Sequence, residues 1–376
     1  MVFVPLLPLF VLDMLMAGTV GMVPPLLPVL AADWALSHVQ VGLVNTAYAV
    51  GRLAGSYPTT RLRARRGTRF AVLVGFGVLA LGAAGCGLAP TFAVFLAGRL
   101  VMGIGASAAF LAILAELLEA APPAWRGRAA NAFEGTAILS LAVGGVLAAS
   151  LAGLAGWRAV FSGVAALLVA SLPVVGRIGR AAGRQVGAAG GSGALQATAL
   201  RPLIPVHVAG LTLALTWSGL FATLVPLLGH ASYGLSGPAL GWALAAGYVA
   251  ELIGLLALGL VIDRVRREPA FFAGAVSVLA GGGLLAVAAQ PAAFVIALAL
   301  VGGGYAIWMI PATVLADRTG TPIPPGHLAV FRITMDAGMI LGPLLLGGFA
   351  ELAGERVAVG AAGLALIGGA LALGRR

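Results

Sequence analysis

Thr60–Arg69 reads TRLRARRGTR and Gly259–Arg267 reads GLVIDRVRR, and each stretch closes one long apolar segment and opens another. A chain that is otherwise nearly uncharged therefore carries the same cationic junction in both halves. Of its 376 residues, 61% are hydrophobic and 9% charged, against roughly half and a quarter in an ordinary soluble domain. The composition calls for a lipid bilayer as the solvent.

The formal net charge is +10, and the chain has arginines but no lysine. In a soluble chain such a balance would point to nucleic acid. Here the arginines fall in gaps between apolar runs, where they hold loops on the cytoplasmic side, so no nucleic-acid partner is expected. The 56 glycines favour close helix packing. A single cysteine, Cys86, provides neither a disulfide nor a cysteine metal site. The first 31 residues lack a basic n-region and their apolar stretch exceeds a signal peptide's h-region, so they read as a retained first span.

A membrane-crossing helix needs about 20 apolar residues, and twelve stretches qualify: 4–31, 39–59, 70–89, 91–117, 129–153, 157–176, 202–229, 238–262, 270–289, 291–315, 328–352 and 355–374. The gaps alternate in charge. One set holds Arg61 to Arg69, Arg126 and Arg128, Arg177 to Arg184, Asp263 to Arg267, Arg318 and Arg375-Arg376, and the other set is poor in arginine. Both termini are thus expected in the cytoplasm, in a multi-pass protein of the cell (inner) membrane. Residues 177–200, rich in Gly, Ala and Arg, read as a cytoplasmic linker between an N-terminal six-helix bundle (1–176) and a C-terminal one (201–376).

An internal repeat supports that division. Glu134–Arg158 aligns without a gap on Arg332–Arg356, pairing Thr136 with Thr334, Gly144 with Gly342, Leu147 with Leu345, Leu154-Ala155-Gly156 with Leu352-Ala353-Gly354, and Arg158 with Arg356. This offset of 198 nearly equals the offset between the junctions. Duplication is the economical explanation, and parallel six-span halves are a transporter architecture.

These residues resemble the major facilitator superfamily (MFS) over essentially the whole chain. The loop after its second span reads roughly G-x-x-x-D-R-x-G-R-R. Gly259, Asp263, Arg264 and Arg267 match it, with Arg266 at the later glycine position. In the first half Arg65, Gly67 and Arg69 match, while Thr60 and Ala64 replace the glycine and the aspartate. Arg99 to Gly105 is similar to the R-x-x-x-G-x-G of span 4, and Gly156-Trp157-Arg158 with Phe161 to the entry of span 6. Drug/proton antiporters carry G-x-x-x-G-P-x-x-G-G in span 5. Here Ser140, Gly144 and Gly145 stand there without the proline, and Gly338, Gly342-Pro343 and Gly347-Gly348 provide the closer copy in span 11. The similarity to that branch is loose. The resemblance implies an all-α membrane protein with twelve transmembrane helices in two pseudo-symmetric six-helix bundles.

Ionisable residues inside a span are unfavourable by several kcal/mol and usually face protein or water. Counting about 1.5 Å per residue puts Asp13 roughly 14 Å, Glu251 roughly 16 Å and Asp336 roughly 12 Å from the cytoplasmic edge. Secondary transporters hold their coupling sites at that depth, so these three are the proton-coupling candidates. Asp13 has no basic neighbour one turn away. Asp336 has Arg332 at i−4, which equally fits a local ion pair, and Glu251 equally fits an interhelix hydrogen bond.

An arginine keeps its charge and needs an acid or an anionic ligand. Arg52, on a face with Asn45 and Tyr48, and Arg99 and Arg332 are therefore candidate substrate-binding residues, with structural interhelix bonds as the alternative. The family motif implies that Arg99 tunes the proton affinity of nearby acids. Spans 1, 4, 7 and 10 line the cavity in that family, which makes Trp217, Tyr305 and Trp308 candidate substrate walls beside plain core packing. Trp34 and Trp157 fit the interfacial belt. Asp263, Arg264, Arg65 and Glu134 are candidate gating residues. Glu116 and Glu119 read as interfacial and solvated, and His207 as a satisfied interface residue. Pro24-Pro25, Pro28 and Pro311 are expected to bend their spans.

No phosphate-binding loop, zinc pattern or nucleophile-base constellation occurs, so an enzyme, a cofactor and a metal site are not expected. The expectation is a secondary active transporter working by alternating access as a monomer on a small-molecule substrate. Proton-coupled efflux by antiport leads, and uptake or exchange of a small organic anion through the cavity arginines is the alternative.

Overall fold

The computed structural model describes residues 6–122, 125–178, 201–261, 264–320 and 323–374. Ten helical stretches among them are long and apolar enough to cross a membrane. One of these, Arg126–Val175, is a 50-residue helix that turns at Gly156 (φ 79, ψ 161), and the turn divides it into spans 5 (126–155) and 6 (157–175). His38–Arg66 adds span 2. Its 29 residues give ample length at about 1.5 Å per residue, and Gln40, Asn45, Arg52 and the terminal arginines lower its apolarity. Twelve spans result. The others are span 1 (Leu7–Trp34), span 3 (Thr68–Gly87), span 4 (Phe92–Ala120), span 7 (Arg201–Tyr233), span 8 (Gly237–Val261), span 9 (Arg267–Val287), span 10 (Pro291–Thr319), span 11 (Pro325–Ala353) and span 12 (Glu355–Gly374).

By contact the chain forms two compact units, Met1–Val29 with Ala47–Ala188, and Leu30–Thr46 with Ala189–Arg376. In the first, span 1 packs on span 5, and span 3 on spans 4 and 6. In the second, span 7 packs on span 11, and span 9 on spans 10 and 12. The pairings correspond one to one, and the same glycines close them. A Cβ on Gly103 would collide with the Tyr48 carbonyl, and one on Gly302 with the Gly247 carbonyl, which brings span 4 onto span 2 and span 10 onto span 8. Gly144 lies against Gly18, and Gly342 against Leu215. Close backbone approach of this kind takes the place of a hydrophobic driving force between helices in lipid.

The repeat seen in the sequence has matching structural roles. Gly156 and Gly354 (φ 88, ψ 151) both adopt positive φ at the turn into the next span. Arg158 donates to the Ala89 carbonyl, and Arg356 donates to Ala288 at 2.8 Å and Ala286 at 3.1 Å. Each arginine thus satisfies the open carbonyl end of the third helix of its unit. Leu154 and Leu352 are 85% and 90% exposed, and Leu147 and Leu345 56% and 55%. Apolar side chains so exposed at both copies of one position belong to a lipid-facing surface.

The cavity-lining spans implied by the family are the interrupted ones, with span 4 the exception. Span 1 breaks after Gly21 and continues through a 3-10 turn at Pro24–Leu26, as the prolines predict. Span 10 has a 3-10 turn, Ala306–Met309, just ahead of Pro311. Span 7 widens to a π-helix over Trp217–Leu224, which the sequence reading missed.

Candidate functional site

In the first unit Asp13 is completely buried on span 1. The Thr136 hydroxyl of span 5 lies 3.4 Å from its Oδ2 and 2.9 Å from the Phe133 carbonyl. Its Oδ1 is buried without a hydrogen-bond partner. Glu134 is within electrostatic reach, so the structure brings this gating candidate to the coupling candidate. A carboxyl held among a hydroxyl, a second acid and apolar side chains can bind and release a proton, and no basic side chain is needed to account for it.

On span 2, Tyr48 interacts with two of the candidate arginines. The Arg99 guanidinium lies 4.6 Å from the centroid of its ring, and Arg52 interacts with its hydroxyl electrostatically. Arg99 is 1% exposed and reaches the Met102 sulfur at 3.8 Å. A buried cation over an aromatic face is favourable by about 2 kcal/mol, so this contact offsets part of the cost of burying Arg99.

In the second unit the aromatic candidates do converge. Trp217 and Trp308 lie 5.9 Å apart. Phe221 stacks edge-on at 5.0 Å on Tyr248 and lies 6.0 Å from Tyr305. Glu251, 4% exposed, is within electrostatic reach of both tyrosines. Three of these residues lie in the π segment or the 3-10 turn, where the irregular backbone re-aims side chains. Phe221 was missed in the sequence because a phenylalanine in an apolar run carries no signal of its own.

Asp336 pairs with Arg332 at 3.9 Å across one helical turn, the local pair foreseen from the spacing. Asn45 donates its amide to the Ala222 carbonyl and the Thr223 hydroxyl, at 3.1 and 2.9 Å. It thereby ties the first turns of span 2 to the π segment. His38 with Glu355 at 2.6 Å, and the Val39 N–H with Glu351 at 2.9 Å, fasten the start of span 2.

Of the gating candidates, Asp263 lies outside the described residues, and Arg264 and Arg65 are exposed. The described ion pairs at these junctions use neighbours instead. Arg63 pairs with Glu119 at 2.6 Å in the first unit, and Arg267 with Asp317 in the second. In both, an arginine of the junction meets an acid at the end of the fourth helix of the unit.

Three sequence readings are corrected. Glu116 is buried, at 6% exposure, beside Thr68 rather than solvated. Trp157 is buried against Phe95 and Phe161 rather than interfacial. His207 is not fully satisfied, because its Nε2 is buried without a hydrogen-bond partner.

Comparison with known proteins adds an independent line. The Major Facilitator Superfamily model matches residues 9–201 and 206–376. The chain is 29% identical over 344 residues to "Chloramphenicol efflux pump MT0201" of Mycobacterium tuberculosis (strain CDC 1551 / Oshkosh), covering 85% of this chain and 80% of that protein. It is 30% identical over 340 residues to "Chloramphenicol resistance protein" of Streptomyces lividans, covering 86% and 83%. Among solved structures, nucleoside transporter NupG superposes with a TM-score of 0.76 over 98% of both chains at 14% identity, a likeness of fold. The helical membrane architecture, the repeated six-span pattern and the match along nearly the whole chain agree: this protein is a multi-pass membrane transporter of the Major Facilitator Superfamily.

Proposed function

We propose that the protein exports a small, partly apolar organic compound in exchange for protons, with Asp13 as the proton carrier. The observation that carries this reading is the fully buried Asp13 carboxyl, with Thr136 alongside and one oxygen without a hydrogen-bond partner. An acid in such surroundings must exchange its proton when a cavity opens to it. Relatives named for chloramphenicol efflux and resistance support a neutral aromatic amphiphile as cargo. The aromatic group of Trp217, Phe221, Tyr248, Tyr305 and Trp308 offers the stacking faces such a cargo uses. Glu251 is the second coupling candidate and Asp336 the third. The arginine-rich end faces the cytoplasm, and no bound cofactor is required.

The test is accumulation of labelled chloramphenicol in inside-out proteoliposomes with an imposed pH gradient. Accumulation that needs the gradient supports the reading. Gradient-independent exchange of labelled organic acids, lost in Arg52→Gln, would favour an anion exchanger instead.

A further inference from the structure

The threonine that lies beside Asp13 has a counterpart in the second unit, and that counterpart also lies beside titratable groups. Thr136 and Thr334 occupy matching positions of the internal repeat. Thr334 Oγ1 is 2.9 Å from the Val330 carbonyl and 3.3 Å from His207 Nδ1, much as Thr136 bridges the Phe133 carbonyl and Asp13. His207 lies one helical turn before Leu211, the position that corresponds to Asp13, and its ring is 6.1 Å from that of Phe331; His327 stands one turn before Phe331 on the same face of span 11. In the first unit an acid lies beside the threonine, whereas in the second an imidazole does.

We infer that His207 and His327 form a second protonation site, which takes up one proton next to the contact between spans 7 and 11. With its hydrogen donated to the Val330 carbonyl, the Thr334 oxygen accepts from His207 Nδ1–H. The basic nitrogen of the neutral ring is then Nε2. That atom is buried without a hydrogen-bond partner, as is Nδ1 of His327, so each ring presents an unused nitrogen. Both side chains are half-buried, and Phe331, 6.1 Å from His207, supplies an apolar wall. A proton adds from water to one ring nitrogen, and repulsion between two imidazolium cations limits the pair to one.

The charged groups on the packed elements are few. Span 11 carries the Arg332–Asp336 pair, and span 10 ends in Asp317, paired with Arg267, and Arg318, bound to the Pro202 and Leu373 carbonyls. Arg201 begins span 7, while Glu355 and Arg356 of span 12 lie at its far end. No acid of the described residues forms an ion pair with either imidazole.

The site itself rests on this geometry, and its part in transport rests on the proton-driven reading above. The chain has four histidines, so 15N-histidine NMR of the full protein in detergent resolves each titration. His207→Asn keeps a donor toward Thr334 but cannot titrate, and His327→Asn serves as the reciprocal variant. The expected result is that each variant moves the titration midpoint of the other ring by roughly half a pH unit or more, with His38 and His230 unmoved. Independent curves would overturn the site. In proteoliposomes, His207→Asn is expected to lose one ionisation from the pH–rate profile between about pH 5 and 8. An unchanged profile alongside coupled titrations would overturn the role in transport. Wild-type flux indifferent to any proton gradient, with coupled titrations intact, would remove the proton-driven reading and leave the site.

Discussion

Asp13 and Thr136 show how much a single pair of side chains can decide. The threonine has one hydroxyl hydrogen and two acceptors, the Phe133 carbonyl and the Asp13 carboxylate, so its donation follows the charge of Asp13. Thr136→Val removes that adjustable bond at nearly constant volume, and loss of about 1–1.5 kcal/mol predicts roughly tenfold slower gradient-driven flux with substrate affinity retained. Parallel flux and equilibrium-binding measurements check this. The paired arginines at the ends of spans 3 and 9 give a structural prediction at the same scale. Arg158→Ala and Arg356→Ala each strip carbonyl ends of a charged donor, and each is expected to destabilise by about 1.5–3 kcal/mol. Thermal unfolding of the detergent-solubilised variants should show two similar losses, because the residues have the same role in the two units.

Helix crossings are the next scale, and here the glycines decide. Gly103→Val forces a side chain against the Tyr48 backbone, and Gly302→Val does the same against Gly247. Overpacking of about 1–3 kcal/mol or more should lower the thermal midpoint of both, whereas Gly77→Ala, with open space around it, should leave it unchanged. The sequence made the spans legible because length and apolarity alone define them. It made the repeat legible because Gly156 and Gly354 need positive φ and Arg158 and Arg356 need carbonyls to bond. It did not reveal the π segment of span 7, since Trp217–Leu224 has the same apolar composition as its flanks and only tertiary contacts select π over α. For the same reason Glu116 and Trp157 were misread: an acid or a tryptophan near a span end can turn inward or outward, and depth along one helix does not say which. His207 showed the limit most clearly, because its unpartnered nitrogen depends on Thr334 and His327, more than 100 residues away.

At the scale of the molecule, duplication supplied two units with the same helix pairings and then let their chemistry diverge. The junction copies differ, with Asp263 in one and Ala64 in the other. The layers around Thr136 and Thr334 differ too, acidic in the first unit and imidazole-rich in the second. On the proposed reading the first unit binds its proton at Asp13, while the second carries the aromatic group together with the imidazoles of His207 and His327. The most direct test of that account encloses a pH-sensitive dye in proteoliposomes and adds substrate to one side only. The account predicts that wild-type protein moves protons opposite to the substrate and that Asp13→Asn, reconstituted to the same level, moves none. Substrate-driven proton movement that persists in Asp13→Asn would contradict it.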